Sequence, residues 1–251
     1  MELEETPAQR NGSDVLSPLP EDWERAVAVV AHPDDIEYGV ASAVARWTAQ
    51  GKSVVYVLVT SGEAGIDSMS PERAKPLREQ EERTGAAVVG VDRVEFLGYP
   101  DGTIEYGLDL RNDIARAIRS HRPEALITLN HHATWGGRSF NMADHRAVGL
   151  AVLDAARDAA NRWVFVDQIE QGYEPWNGVR MVCIGASPYP THAVDVSGYL
   201  DKGVESLQAH RAYIEGLGGA FDARAFLESS AAATGRRLGC EHAVGFEVVD
   251  L

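Results

Sequence analysis

Ala26-Val27-Ala28-Val29-Val30-Ala31, then His32-Pro33-Asp34-Asp35, then Ile36-Glu37-Tyr38-Gly39-Val40-Ala41-Ser42-Ala43-Val44-Ala45-Arg46-Trp47: this stretch decides the fold. The first segment is a continuous apolar run, the pattern of a strand buried on both faces. The last segment reads as a helix. One imidazole and two carboxylates therefore crowd the turn at the carboxyl end of a strand, where open α/β sheets keep their ligand sites. A His and an Asp three residues apart can hold one metal ion, which leaves the second Asp free as a base.

Outward from this stretch, strand and helix patterns alternate. Strands are expected at Ala26–Ala31, Val54–Thr60, Val94–Leu97, Ala125–Leu129, Val179–Ile184 and His192–Val196, with a last one in the alternating tail from Ala243 to Val249. Helices are expected over 36–50, 71–89, 109–121, 143–160 and 198–215. Within 109–121, Leu110, Ile114, Ala117 and Ile118 share one face, and Arg122-Pro123 follows as a stop. Such alternation predicts a mostly parallel sheet with helices on both faces. Residues 1–22, rich in Glu, Pro, Ser and Asn, read as a flexible leader, and 23–251 as one domain.

Composition narrows the function classes. At 251 residues with 45% hydrophobic residues, the chain suits one large α/β domain with a full core. A net charge of −15 argues against nucleic acid and against an anionic membrane as partner. No apolar run approaches the ~20 residues of a membrane helix. The acidic start Met1-Glu2-Leu3-Glu4-Glu5 is no secretory signal, so a cytoplasmic setting is expected. Cys183 and Cys240 are expected to be free thiols.

A catalytic metal site needs a third ligand. Asn141-Met142-Ala143-Asp144-His145-Arg146 offers one in His145, at a loop-to-helix junction after the strand Ala125–Leu129. A His/Asp/His set suits zinc. Trp135, in a Gly-rich loop that should border the site, offers a ring face to a bound molecule.

Here the sequence resembles the LmbE-like, or PIG-L, N-acetylglucosaminyl deacetylases. His32-Pro33-Asp34-Asp35-Ile36-Glu37 looks like the family's opening signature, and Asp144-His145-Arg146-Ala147-Val148-Gly149 like its second. Thr60-Ser61-Gly62-Glu63-Ala64-Gly65, Arg78-Glu79-Gln80-Glu81 and Leu97-Gly98-Tyr99-Pro100-Asp101-Gly102 are similar to three further blocks, in the family's order. The resemblance implies a single-domain, Rossmann-like three-layer α/β/α sandwich. It implies zinc on His32, Asp35 and His145, with Asp34 as the general base. It places Glu63 and Arg78 against sugar hydroxyls and Asp101 close to the substrate. The implied activity is zinc-dependent removal of an N-acetyl group from an N-acetylglucosamine-type small molecule. An amidase acting on mycothiol-like conjugates is the alternative.

One departure stands out. The family carries a His three residues before the ligand His, which stabilises the oxyanion or protonates the amine. This chain has Met142 there. A thioether can do neither. His192 is the favoured replacement, with His131, His132 and Arg138 behind it. Met142 also keeps open a metal-binding homologue without turnover. A homo-oligomer is left open as well.

Blander readings stand beside these. His-Pro-Asp-Asp also fits a helix cap, and Asp144 could cap its helix or orient His145. Arg78 and Glu81 have the spacing of a helix ion pair. The run Glu79–Arg83 reads as a solvated face, and His131 and His132 should point apart. His210 reads as structural or substrate-side.

Overall fold

The computed structural model describes residues 15–218 and 221–251. Their strands are β1 Ser17–Pro18, β2 Arg25–Val30, β3 Ser53–Leu58, β4 Val94–Phe96, β5 Ala125–Leu129, β6 Thr134–Gly136, β7 Ser139–Phe140, β8 Met181–Gly185, β9 His192–Asp195 and β10 Ala243–Asp250. The helices are α1 Asp35–Gly39, α2 Ala41–Ala49, α3 Pro71–Val88, α4 Leu108–His121, α5 Ala143–Ala160, α6 Val166–Glu170, α7 Leu200–Gln208, α8 Arg211–Gly216 and α9 Ala223–Leu238.

Eight strands form one sheet in the order β1-β9-β10-β8-β5-β2-β3-β4. Every pairing is parallel except those of β10, which runs antiparallel to both β8 and β9. The chain builds outward from β2 through β3 to β4, then crosses to the other side of β2 for β5. The carboxyl ends of β2 and β5 thus flank a topological switch point.

The alternation along β2 divides the core. Ala26, Ala28 and Val30 join Val44, Trp47, Tyr56 and Ile127 on one face, under α1 and α2. Val27 and Val29 join Ile114, Ile118, Leu126 and Val152 on the other, under α4 and α5. This is the three-layer α/β/α sandwich expected. A satellite cluster of Leu200, Val204, Leu207, Leu227 and Ala231 packs α7 against α9.

Several expectations need correction. Residues 1–14 lie outside the described residues, but 15–22 are no loose leader. Ser17–Pro18 pairs in parallel with β9, Leu16 and Leu19 are buried, and Glu21 accepts bonds from Arg46 and Trp47. Helix 36–50 is broken at Val40, whose non-helical φ of −138° separates α1 from α2. Helix 198–215 is broken at His210, between α7 and α8. Cys183 and Cys240 are free, as expected. Among the described residues no helix is long and apolar enough to cross a membrane.

Candidate active site

The turn after β2 is held by its own side chain. Asp35 Oδ2 accepts the backbone N–H groups of Ala31 at 3.1 Å and His32 at 2.9 Å. Asp34 adopts φ 94°, a left-handed conformation that a non-glycine residue adopts at a cost of about 1–3 kcal/mol. Its N–H donates to Glu82 Oε2 at 3.1 Å, which helps hold the strained turn.

Three donors converge at this turn. His145, in the first turn of α5, brings Nε2 to 3.0 Å from Asp35 Oδ1 and 3.2 Å from His32 Nδ1. His32 Nδ1 lies 3.7 Å from Asp35 Oδ2. These separations are those of ligands sharing one ion, about 3.4 Å apart when each sits ~2.1 Å from it. The opposite ring nitrogens are committed elsewhere. His145 Nδ1 meets Asn141 Oδ1 at 3.0 Å, and His32 Nε2 meets Asp144 Oδ2 and Asp101 Oδ1, each at 3.2 Å. Carboxylate and amide partners of this kind fix imidazole tautomers toward a metal. The residues present therefore fit a divalent metal centre.

Attraction between imidazoles and carboxylates dominates the electrostatics of the cluster. Burial pushes the His32 imidazole down, but Asp101, Asp144 and Asp35 outweigh it and leave its pKa raised. Burial also works against the Asp35 carboxylate, yet His145 and His32 hold it well below the usual range. Asp34 behaves differently. Burial pushes it up to about 7, against the pull of Arg78 and with the help of the Asp35 charge.

Arg78 is buried and locked in place. It donates to Asp34 Oδ2 at 2.9 Å, to the Pro33 carbonyl at 2.5 Å and to the Gly62 carbonyl at 2.9 Å, and stacks 4.1 Å from the Tyr213 ring centroid. Gly62 makes room for it, since a Cβ there would lie 2.2 Å from Arg78 Nη1. Arg78 thus positions Asp34, and it forms no helix ion pair with Glu81. Tyr213 lines the same cavity as Asp34.

A cavity of about 400 Å³ opens over this cluster. His32, Asp34, Asp35, Arg78, Asp101 and His145 line one part, and Tyr38, Leu129, Trp135, Met142, Tyr213 and Phe226 form a largely apolar remainder. Trp135 sits on β6 with its ring 5.3 Å from that of His145. Glu63 does not line the cavity; its Oε1 accepts the Asp101 N–H at 3.1 Å and so supports the Asp101 loop. Arg138 is exposed in the β6–β7 turn, outside the lining.

The favoured replacement for the missing His is not brought to the site. His192 stands on β9, four strands from β2, about 19 Å at ~4.8 Å per strand. Its Nδ1 meets Thr191 Oγ1 at 2.9 Å. His131 and His132 do not line the cavity either. Their rings lie 4.3 Å apart rather than pointing away, because the chain has left β5 and bends there. The Asp144 side chain neither caps α5 nor hydrogen-bonds to His145; it orients His32 and accepts the N–H groups of Gly102 and Ile104. Nor is the run Glu79–Arg83 wholly solvated: Glu81 and Glu82 are buried. Sequence reasoning missed Tyr38, Tyr213 and Phe226, which reach the cavity from helices or their junctions with no spacing signal to tie them to it.

A Rossmann-like α/β fold with a His/carboxylate cluster that could hold a metal ion at its switch point defines the class. Within that class, residues 27–156, half of the chain, match the family described as PIG-L: GlcNAc-PI de-N-acetylase, and the chain belongs to that family. It is 24% identical to the diacetylchitobiose deacetylase of Thermococcus kodakarensis, over 75% of this chain and 70% of that one. It is 28% identical to a probable N-acetyl-alpha-D-glucosaminyl L-malate deacetylase 2 of Bacillus anthracis, over 74% of this chain and 80% of that one. Its fold resembles that of N,N'-diacetylchitobiose deacetylase from Pyrococcus horikoshii, with a TM-score of 0.83 at 21% identity, over 92% of this chain and 85% of that one.

Proposed function

We propose that this chain is a zinc-dependent hydrolase that removes the acetyl group from an N-acetylglucosamine-type moiety of a small molecule. One observation carries the reading. Three metal donors converge on one point while a separate buried carboxyl, Asp34, stands beside them in the same cavity. The deacetylases to which the chain is similar support the substrate class.

Held by His32, Asp35 and His145, zinc would acidify a water molecule and polarise the amide carbonyl. Asp34, its carboxyl pushed up by burial, accepts the proton of the attacking water. It returns that proton to the nitrogen as the carbon–nitrogen bond breaks, giving acetate and a free amine. Arg78 and the left-handed backbone at Asp34 hold the base in position. Tyr213, kept protonated by burial and by the Asp34 charge, is a neutral donor beside the base. It takes the part that Met142 cannot. Trp135, Tyr38 and Phe226 offer ring faces and edges to the sugar.

The free thiols Cys183 and Cys240 suit the cytoplasmic setting expected from the sequence. The test is amine release by zinc-loaded protein on a panel of N-acetylglucosamine, N,N'-diacetylchitobiose, its malate and inositol glycosides, and a mycothiol conjugate. Turnover of an N-acetylated sugar is expected. Cleavage of the conjugate alone would turn the reading to the amidase. No amine from any member, in protein that holds zinc, would leave a binding protein.

A further inference from the structure

Beneath the Asp34 turn lies a second group of His and carboxylate side chains, sealed from solvent. Glu37 comes from α1, Glu82 from α3 and His210 from the junction of α7 and α8. Glu37 is 1% exposed, and Glu82 and His210 are 0% exposed. Donor atoms of all three lie within 4.8 Å of one another. None of them lines the cavity above.

Several polar atoms of this cluster have no partner, while the Glu82 oxygen nearest His210, Oε2, already accepts the Asp34 N–H. Glu37 Oε2, Glu82 Oε1 and both ring nitrogens of His210 are buried without a hydrogen bond, as is the nearby Tyr56 hydroxyl. Leaving such groups buried and unpaired is costly, and more so when they are charged. His210 Nε2 lies 3.7 Å from Glu37 Oε2 and 3.7 Å from Glu82 Oε2. That is too long for a hydrogen bond, so the imidazole does not share a proton with either carboxyl. It is close to the ~3.4 Å between neighbouring ligands of one tetrahedral ion.

The remaining atoms fix the frame. Ser206 Oγ donates to Glu37 Oε1 at 3.2 Å, and Glu82 Oε2 accepts the Asp34 N–H at 3.1 Å. Gly85 lets α3 approach this closely, since a Cβ there would lie 3.2 Å from His210 Nε2 and 3.0 Å from the Ser206 carbonyl. Among the described residues no Lys or Arg bonds to either carboxylate. Arg78 is committed to Asp34, Pro33 and Gly62. Two carboxylates and one neutral imidazole match the charge of a divalent cation, and this donor set suits zinc.

We infer that Glu37, Glu82 and His210 form a second, structural zinc site, closed to solvent, which ties α1, α3 and the α7–α8 junction together under the Asp34 turn. It stands independently of the catalytic reading. Because the site is sealed, the ion enters as the chain folds.

The test is zinc stoichiometry by mass spectrometry after refolding with Zn²⁺ and desalting, with circular dichroism as the check on folding. Wild type is expected to hold two equivalents. Glu82→Gln and His210→Gln should each hold one, and the double variant Asp35→Asn/His145→Ala should hold one. Anomalous scattering at the zinc edge from wild-type crystals, between the three side chains, supports the site without any variant. A wild type with one equivalent that the double variant removes and His210→Gln keeps overturns the second site. So does a second equivalent that survives both Glu82→Gln and His210→Gln, or a wild type with none. One equivalent lost in His210→Gln but kept in the double variant supports the sealed site and instead overturns the catalytic centre.

Discussion

Two His/carboxylate clusters lie on either side of the Asp34 turn, and they differ in what surrounds them. The open one, His32, Asp35 and His145, lines a cavity, and its imidazoles are oriented by Asn141, Asp101 and Asp144. The sealed one has carboxyl oxygens and an imidazole with nothing to bond. Burial acts on both, yet with opposite results. In the open cluster, neighbouring imidazoles keep Asp35 ionised. In the sealed one, burial pushes Glu37 up to about 8 and His210 down to about 3, so without an ion these groups favour their neutral forms. A reactive centre needs ligands fixed before the substrate arrives. A structural centre can leave that task to its ion.

The widest gap between the two should be in metal exchange. A chelator at neutral pH is expected to strip the open cluster first, with the sealed ion leaving slower by on the order of a hundredfold or more, since release there needs local unfolding. Equal release rates, followed by a zinc-sensitive dye, would erase the distinction. Next in size is Asp34→Asn. It should hold zinc but lose about 10²–10⁴ in kcat, the usual worth of a general base. Retained turnover would remove Asp34 from the chemistry.

A smaller effect concerns the ion pair above the turn. Asp34 must be deprotonated to act, so kcat/KM should rise with pH as this carboxyl, raised by burial, ionises, and level off above that limb. Arg78 lowers the Asp34 pKa, so Arg78→Met should move that limb to higher pH. An unmoved limb would show that the titrating group is not Asp34. The smallest effect is expected of His192→Ala, four strands away, which should leave kcat/KM within about twofold because it touches no reacting group. A large loss would bring β9 into the site after all.

What the sequence disclosed follows from locality. The turn His32–Asp35, the β2 core alternation and the period of α4 are all set by residues a few positions apart, and each was readable. The hairpin of β6 and β7 and the two-residue β1 were not, because strands so short exist only through their partners. Helix α9 has no legible apolar face, because Leu227 is the one large side chain among its buried residues beside Ala223, Ala231 and Gly235. Glu82 read as part of a solvated run because the residues that enclose it, Glu37 and His210, lie far off in the chain. His192 looked available for the opposite reason: only strand order reveals that β8, β10 and β5 separate it from β2.

The antiparallel strand β10 has a consequence for synthesis on the ribosome. It lies between β8 and β9, and β1 reaches the sheet only through β9. The half that carries His32, Asp35 and His145, from β2 through α5, can assemble while the chain is still emerging. The edge that carries β1 and β9 must wait for residues 243–250, so one flank of the sheet is completed after the catalytic flank. A chain ending before Ala243 should therefore keep slow amide exchange in β2 and β5 and lose it in β9; protection in β9 without β10 would show that the edge forms by itself.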